Sequence, residues 1–80
     1  MLKLVVYKKK ACIYLVGGTN LALATFSKNT DYFTILSRLR FILIGIFWDT
    51  YKGIYHKGKF HKANTIEETA KFIEERLKEN

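Results

Sequence analysis

Two histidines and a cluster of lysines stand together in one short stretch, Tyr51–Ala63, which reads YKGIYHKGKFHKA. His56 and His61 are the only histidines of the chain. Placed on one face of a hairpin with Lys59 between them, they form a set that can cleave RNA without metal. One imidazole takes the ribose hydroxyl proton, the other protonates the leaving oxygen, and the lysine offsets charge on the phosphorane. The same stretch supports simpler chemistry. Lys52, Lys57, Lys59 and Lys62 offer point charges that displace counterions from a nucleic-acid backbone. Thr50 and Tyr51 add hydrogen-bonding groups for phosphate. The pattern gives no metal site, because the two histidines lack a third ligand and Asp49 suits a turn. No motif asks for a cofactor.

A hairpin must position these groups. Lys57-Gly58 is a two-residue turn signal. Around it, His56 opposes Lys59, Tyr55 opposes Phe60 and Ile54 opposes His61, and opposed residues share a face. One face carries Lys52, Ile54, His56, Lys59 and His61; the other carries Tyr51, Gly53, Tyr55, Phe60 and Lys62. Aromatic side chains in a small domain ordinarily enter its core. The expectation is therefore Tyr55 and Phe60 inward and the Lys/His face in solvent. In the reverse orientation, Tyr51, Tyr55 and Phe60 become a platform on which single-stranded bases stack.

The rest of the chain sets the electrostatic context. Its 80 residues make one domain, spanning 1–80, with a formal net charge of +7. Residues 1–64 hold eleven Lys or Arg against Asp31 and Asp49, whereas residues 65–80 hold three against five glutamates. The positive potential belongs to the body and attracts polyanions. Lys8, Lys9 and Lys10 form a second basic cluster. Cys12 is the only cysteine, which excludes an internal disulfide. The longest apolar run, FILIGIFW at 41–48, falls well short of the roughly 20 residues a membrane span needs. The chain reads as soluble and cytoplasmic. Absence of Pro and Gln with abundant Lys, Ile and Tyr suits an AT-rich genome, a thermophile or a mobile element.

Periodicity assigns the elements. LKLVVY (2–7), ACIYLV (11–16) and LALATF (21–26) read as three strands joined by KKK and GGTN turns. ACIYLV is polar on neither face and so reads as a central strand. Thr30 or Asn29 is the expected cap of a helix over 30–40, with Asp31 in its first turn. The β-branched and aromatic run 41–48 reads as a strand buried on both faces. A strand over 51–56 follows, with Gly53 as a bulge or close-packing point, and KFHKA closes a second meander. Thr65 to Glu68 is a capping box opening a terminal helix with Ile66, Ala70, Ile73 and Leu77 as its apolar stripe. Phe72 lies off that stripe, placed to cover a sheet edge or meet a partner. The predicted fold is α+β: two antiparallel β-meanders and two helices in the order βββ-α-βββ-α, with the C-terminal helix packed on a sheet.

Short strands, a Lys-Gly turn and a capped helix over roughly 41–78 resemble in architecture the three-strand-plus-helix DNA-binding domains at the N-termini of some phage integrases. The likeness rests on element order and on no shared motif, and it implies DNA binding.

Three function classes follow. The first is a small nucleic-acid-binding protein contacting the phosphate backbone through Lys8, Lys9, Lys10, Lys52, His56, Lys57, Lys59, His61 and Lys62. Pairing as a homodimer fits it, because small domains recover stability by associating. The second is a protein-interaction module, an inhibitor or regulator of viral or plasmid type, acting on a protein partner through an exposed sheet edge, the 41–48 run or Phe72. The third is the metal-independent ribonuclease using His56, His61 and Lys59.

Overall fold

The computed structural model describes residues 2–15, 22–43 and 53–79. Among these residues, five strands and two helices are formed: β1 (Leu2–Val6), β2 (Lys10–Leu15), β3 (Ala24–Ser27), α1 (Tyr32–Ile42), β4 (Gly53–His56), β5 (Lys59–Lys62) and α2 (Ile66–Glu79). The fold is α+β. All five strands join one mixed sheet in the order β3-β2-β1-β4-β5. β1 pairs antiparallel with β2 but parallel with β4, in the register Leu2 to Ile54, Lys3 to Tyr55 and Leu4 to His56. The two expected meanders are thus not separate sheets. A parallel pairing between residues some fifty positions apart leaves no local sequence signal, whereas hairpins announce themselves in their turns.

Alternation along the strands builds the core. Leu2, Leu4, Ala11, Ile13, Ala24, Phe26 and Ile54 are buried on one face of the sheet. Ile35, Leu36 and Leu39 of α1 and Ala70, Ile73 and Leu77 of α2 close over that face in a single apolar cluster. Both helices therefore lie on the same side. Arg40 on α1 and Glu67 on α2 form an exposed ion pair at 2.9 Å. Glu74 and Lys78 pair within α2 at 3.7 Å, one turn apart.

The caps explain where the helices start. Asp31 is itself the N-cap of α1, accepting from the Thr34 backbone N–H at 3.0 Å. It takes the place of the expected Thr30 or Asn29 cap, and the Thr30 hydroxyl instead lies 3.0 Å from that of Ser27. In the terminal capping box, the Glu68 N–H donates to Thr65 Oγ1 at 3.2 Å. The Glu68 carboxylate reaches one residue further back than expected, to the Asn64 N–H at 2.7 Å.

α1 continues to Ile42 with Leu43 as its C-cap, so the start of the expected 41–48 strand is helix. The helical stripe through Ile35 and Leu39 extends to buried Leu43, and that burial outweighs the β-propensity of the run. The remainder of that strand, the GGTN turn and residues 51–52 lie outside the described residues. The integrase-like unit is not formed as expected: the β4–β5 hairpin is completed by β1, from the other half of the chain, in parallel.

Candidate nucleic-acid interface

The Lys57-Gly58 turn is confirmed. Both residues have positive φ, 52° and 78°, the geometry of the tight primed turn that suits twisted strands. Its register places His56 against Lys59, Tyr55 against Phe60 and Ile54 against His61. The two faces of the hairpin are therefore divided as expected, but their orientation is reversed. His56 is buried at 6% exposure and Phe60 is 44% exposed. Ile54 decides the matter: it shares the His56 face, and its apolar side chain sits in the core opposite Leu2. A single buried isoleucine outranks the preference of the aromatic pair.

Phe72 explains how the histidine face is tolerated against α2. Its ring meets His61 at 4.6 Å and His56 edge-on at 5.9 Å between centroids. It thus covers the hairpin, one of its two expected roles. His56 Nδ1 lies 3.3 Å from the Leu4 carbonyl; a carbonyl can only accept, so Nδ1 carries the proton. The imidazoles are 6.3 Å apart between centroids, but His56 is enclosed and bonded to the backbone. The two-histidine cleavage set requires both rings open to a ribose, and only His61 is partly open. His56 is likewise corrected as a surface nucleic-acid contact: its buried ring packs the hairpin onto α2.

The face turned away from both helices carries a different set of groups. Across it, Tyr14 pairs with Lys3, Lys3 with Tyr55, and Tyr55 with Phe60. These four residues make a continuous row over β2, β1, β4 and β5. Tyr55 and Phe60 rings meet at 5.1 Å and 55°. A Cβ on Gly53 would lie 2.5 Å from the Phe60 ring and 2.6 Å from the His61 carbonyl oxygen. Gly53 is thus the close-packing point that lets Phe60 lie flat along the sheet. Tyr14 and Tyr7 share a hydroxyl contact at 3.3 Å. That contact, with the nearby Cys12 thiol, holds the Tyr14 phenol protonated well above the ordinary tyrosine range. Cys12 is buried in the same face beside Thr25, at 3.5 Å.

Charge is segregated between the layers. Among the described residues, every carboxylate belongs to the helical layer: Asp31 at the start of α1 and five glutamates on α2. Lys3, Lys10 and Lys62 are exposed on strand positions of the open face, and Lys8 and Lys9 are exposed in the adjoining β1–β2 turn. Lys10 Nζ stands 5.5 Å from the centre of the Tyr7 ring. Of the sequence-derived contacts, Lys57 and Lys59 are exposed on the helix-facing side of the hairpin, His61 is half-buried there, and Lys52 lies outside the described residues. Sequence reasoning missed Lys3 and Tyr14. Alternation in LKLVVY put Lys3 opposite the Leu2 and Leu4 face, but only the parallel β1–β4 pairing brings it beside Tyr55.

Among the described residues, no helix is long and apolar enough to cross a membrane, and no three His, Cys, Asp or Glu side chains gather to hold a metal. No protein-family model, curated protein or solved structure matches this chain.

Proposed function

We propose that the chain binds single-stranded nucleic acid on the open face of its sheet. The Tyr14–Lys3–Tyr55–Phe60 row supports this reading. Strands repeat at about 4.8 Å, so Tyr14 and Tyr55 stand roughly 10 Å apart with the Lys3 position between them. Such spacing suits two stacked bases with a phosphate between. Stacking is tolerant of sequence because every base presents a π-face. Lys10, Lys62, Lys8 and Lys9 extend the cationic surface at its margins. A duplex hides its base faces and offers this row nothing to stack on. The test is a titration of 5′-labelled single-stranded RNA, single-stranded DNA and duplex at two salt concentrations. Preference for single strands, lost in the Tyr55→Ser/Phe60→Ser double variant, is the expected result. Equal affinity for duplex, unchanged by that variant, refutes it.

One observation favours association with a second copy through a different surface. Phe33 and Phe41 on α1 are 73% and 85% exposed, and at 100° per residue they lie within about 80° of one another around the helix. Leu23, Phe41 and Ile42 line a hollow there beside Arg38. Two large rings in water are costly for a chain of 80 residues with a thin core. Sedimentation velocity tests it: a dimer that becomes monomeric in Phe33→Ser/Phe41→Ser supports the reading, and a monomer at all concentrations ends it.

A further inference from the structure

We infer that the cleft between the β4–β5 hairpin and the last turns of α2 is a second site, one that takes a phosphomonoester. It lies on the opposite side of the sheet from the stacking row and does not depend on it. The cleft is an open hollow of about 440 Å³ lined by His56, Lys57, Lys59, His61, Arg76 and Glu79. That volume falls within the range of small-ligand sites, roughly 300–1,000 Å³. Three of its side chains are permanently cationic and one is a carboxylate. A phosphomonoester near neutral pH carries about −1.5 to −2 charges, matching that excess.

The geometry favours a built pocket over a chance meeting of surface charges. Arg76 is fixed at two points: its guanidinium stacks on the Phe72 ring at 4.4 Å, and Nη1 donates to Glu79 Oε1 at 2.8 Å. A guanidinium has five N–H donors, so this ion pair aims the group without using it up. Phe72 supports His61 from the same side, at 4.6 Å. His61 thereby stands half-buried at the cleft wall, where a ring N–H can donate to a bound phosphate. Lys57 is the one non-glycine residue with positive φ among those described.

The phosphate could belong to the end of a nucleic-acid strand or to a free nucleotide, and the experiment separates them. Uniformly ¹⁵N,¹³C-labelled protein is titrated with inorganic phosphate, with a nucleoside 5′-monophosphate, and with one oligonucleotide carrying either a 5′-phosphate or a 5′-hydroxyl. The His61 ring and Lys59 and Arg76 amide resonances are followed. Saturable shifts of these groups with inorganic phosphate are expected. Arg76→Gln and Lys59→Gln should each weaken binding by roughly ten-fold or more while leaving the thermal midpoint nearly unchanged. Stronger binding of the 5′-phosphorylated oligonucleotide than of its 5′-hydroxyl form assigns the ligand to strand ends. Equal binding of the two oligonucleotides, with saturation by the free nucleotide, assigns it to nucleotides. Non-saturating shifts that vanish with added salt, or binding unaltered by both substitutions, overturn the site, whatever the sheet face binds.

Discussion

Replacing Lys57 by Asn should make the protein more stable and worse at its task. The residue sits at φ 52° in a two-residue turn, a conformation that costs a non-glycine L-residue roughly 1 kcal/mol. Asn tolerates it because its short polar side chain bonds locally, and Asn-Gly is the preferred pair for this turn. Most of that cost should return, so about 0.5–1 kcal/mol of stability is gained. An 80-residue chain unfolds with an entropy of about 170 cal/mol/K at roughly 2.1 cal/mol/K per residue, and 1 kcal/mol moves its Tm by about 6 °C. A rise of about 3–6 °C is therefore expected. The same change removes one of three cations from the cleft against α2, and phosphate binding should fall several-fold. Lys57→Arg is the control: it keeps the charge and the strain, so neither quantity should move much. Calorimetry and phosphate titration on the three proteins decide the matter. A Tm that falls or stays level in Lys57→Asn would refute the strain argument; a gain in Tm with undiminished phosphate binding would refute the role given to the side chain.

Other perturbations have defined outcomes. Gly53→Ala places a methyl against the Phe60 ring and a backbone carbonyl; a loss of about 1–3 kcal/mol in urea unfolding is expected, because the carbonyl cannot swing aside. Thr69 has a fully buried hydroxyl without a hydrogen-bond partner, so Thr69→Val should raise stability by about 1 kcal/mol in the same assay. Asp31 and Glu67 are held below the ordinary carboxylate range by the Thr34 hydrogen bonds and the Arg40 guanidinium respectively. Depressed folded-state values stabilise the fold above the ordinary ones, 3.8 and 4.5, and that contribution fades as pH falls through and below them. The Tm of Asp31→Asn and Glu67→Gln should accordingly depend less on pH in acid than that of the parent. Finally, four phosphates neutralised on a single strand give a log–log salt slope near −3, and Lys3→Gln should make it shallower by about 0.7.

Local chemistry carried most of what the sequence disclosed. The Lys57-Gly58 turn, the Thr65 capping box and the Ile73–Leu77 stripe are each written within a few residues, and each is formed. The α1 boundary was harder because Phe41 and Ile42 have strand propensity, while the burial of Leu43 is a tertiary fact. The parallel β1–β4 pairing was illegible for the same reason: nothing near Leu2 names Ile54 as its neighbour. That pairing also reversed the hairpin. Pair opposition correctly sorted its side chains into two faces, but which face meets the helices depends on where Ile54 packs. Lys3, Tyr14 and Arg76 entered the candidate sites only through such long-range placement.

The central claim is that the open sheet face, which carries no carboxylate among the described residues, binds unpaired bases. Resonance mapping with a short single-stranded oligonucleotide, read on the aromatic rings at low salt, tests it most directly. Saturating shifts of Tyr14, Tyr55 and Phe60, with the outward positions of α1 unmoved, are the predicted result. Rings that stay fixed while the strand binds elsewhere, or a strand that does not bind at all, would contradict it.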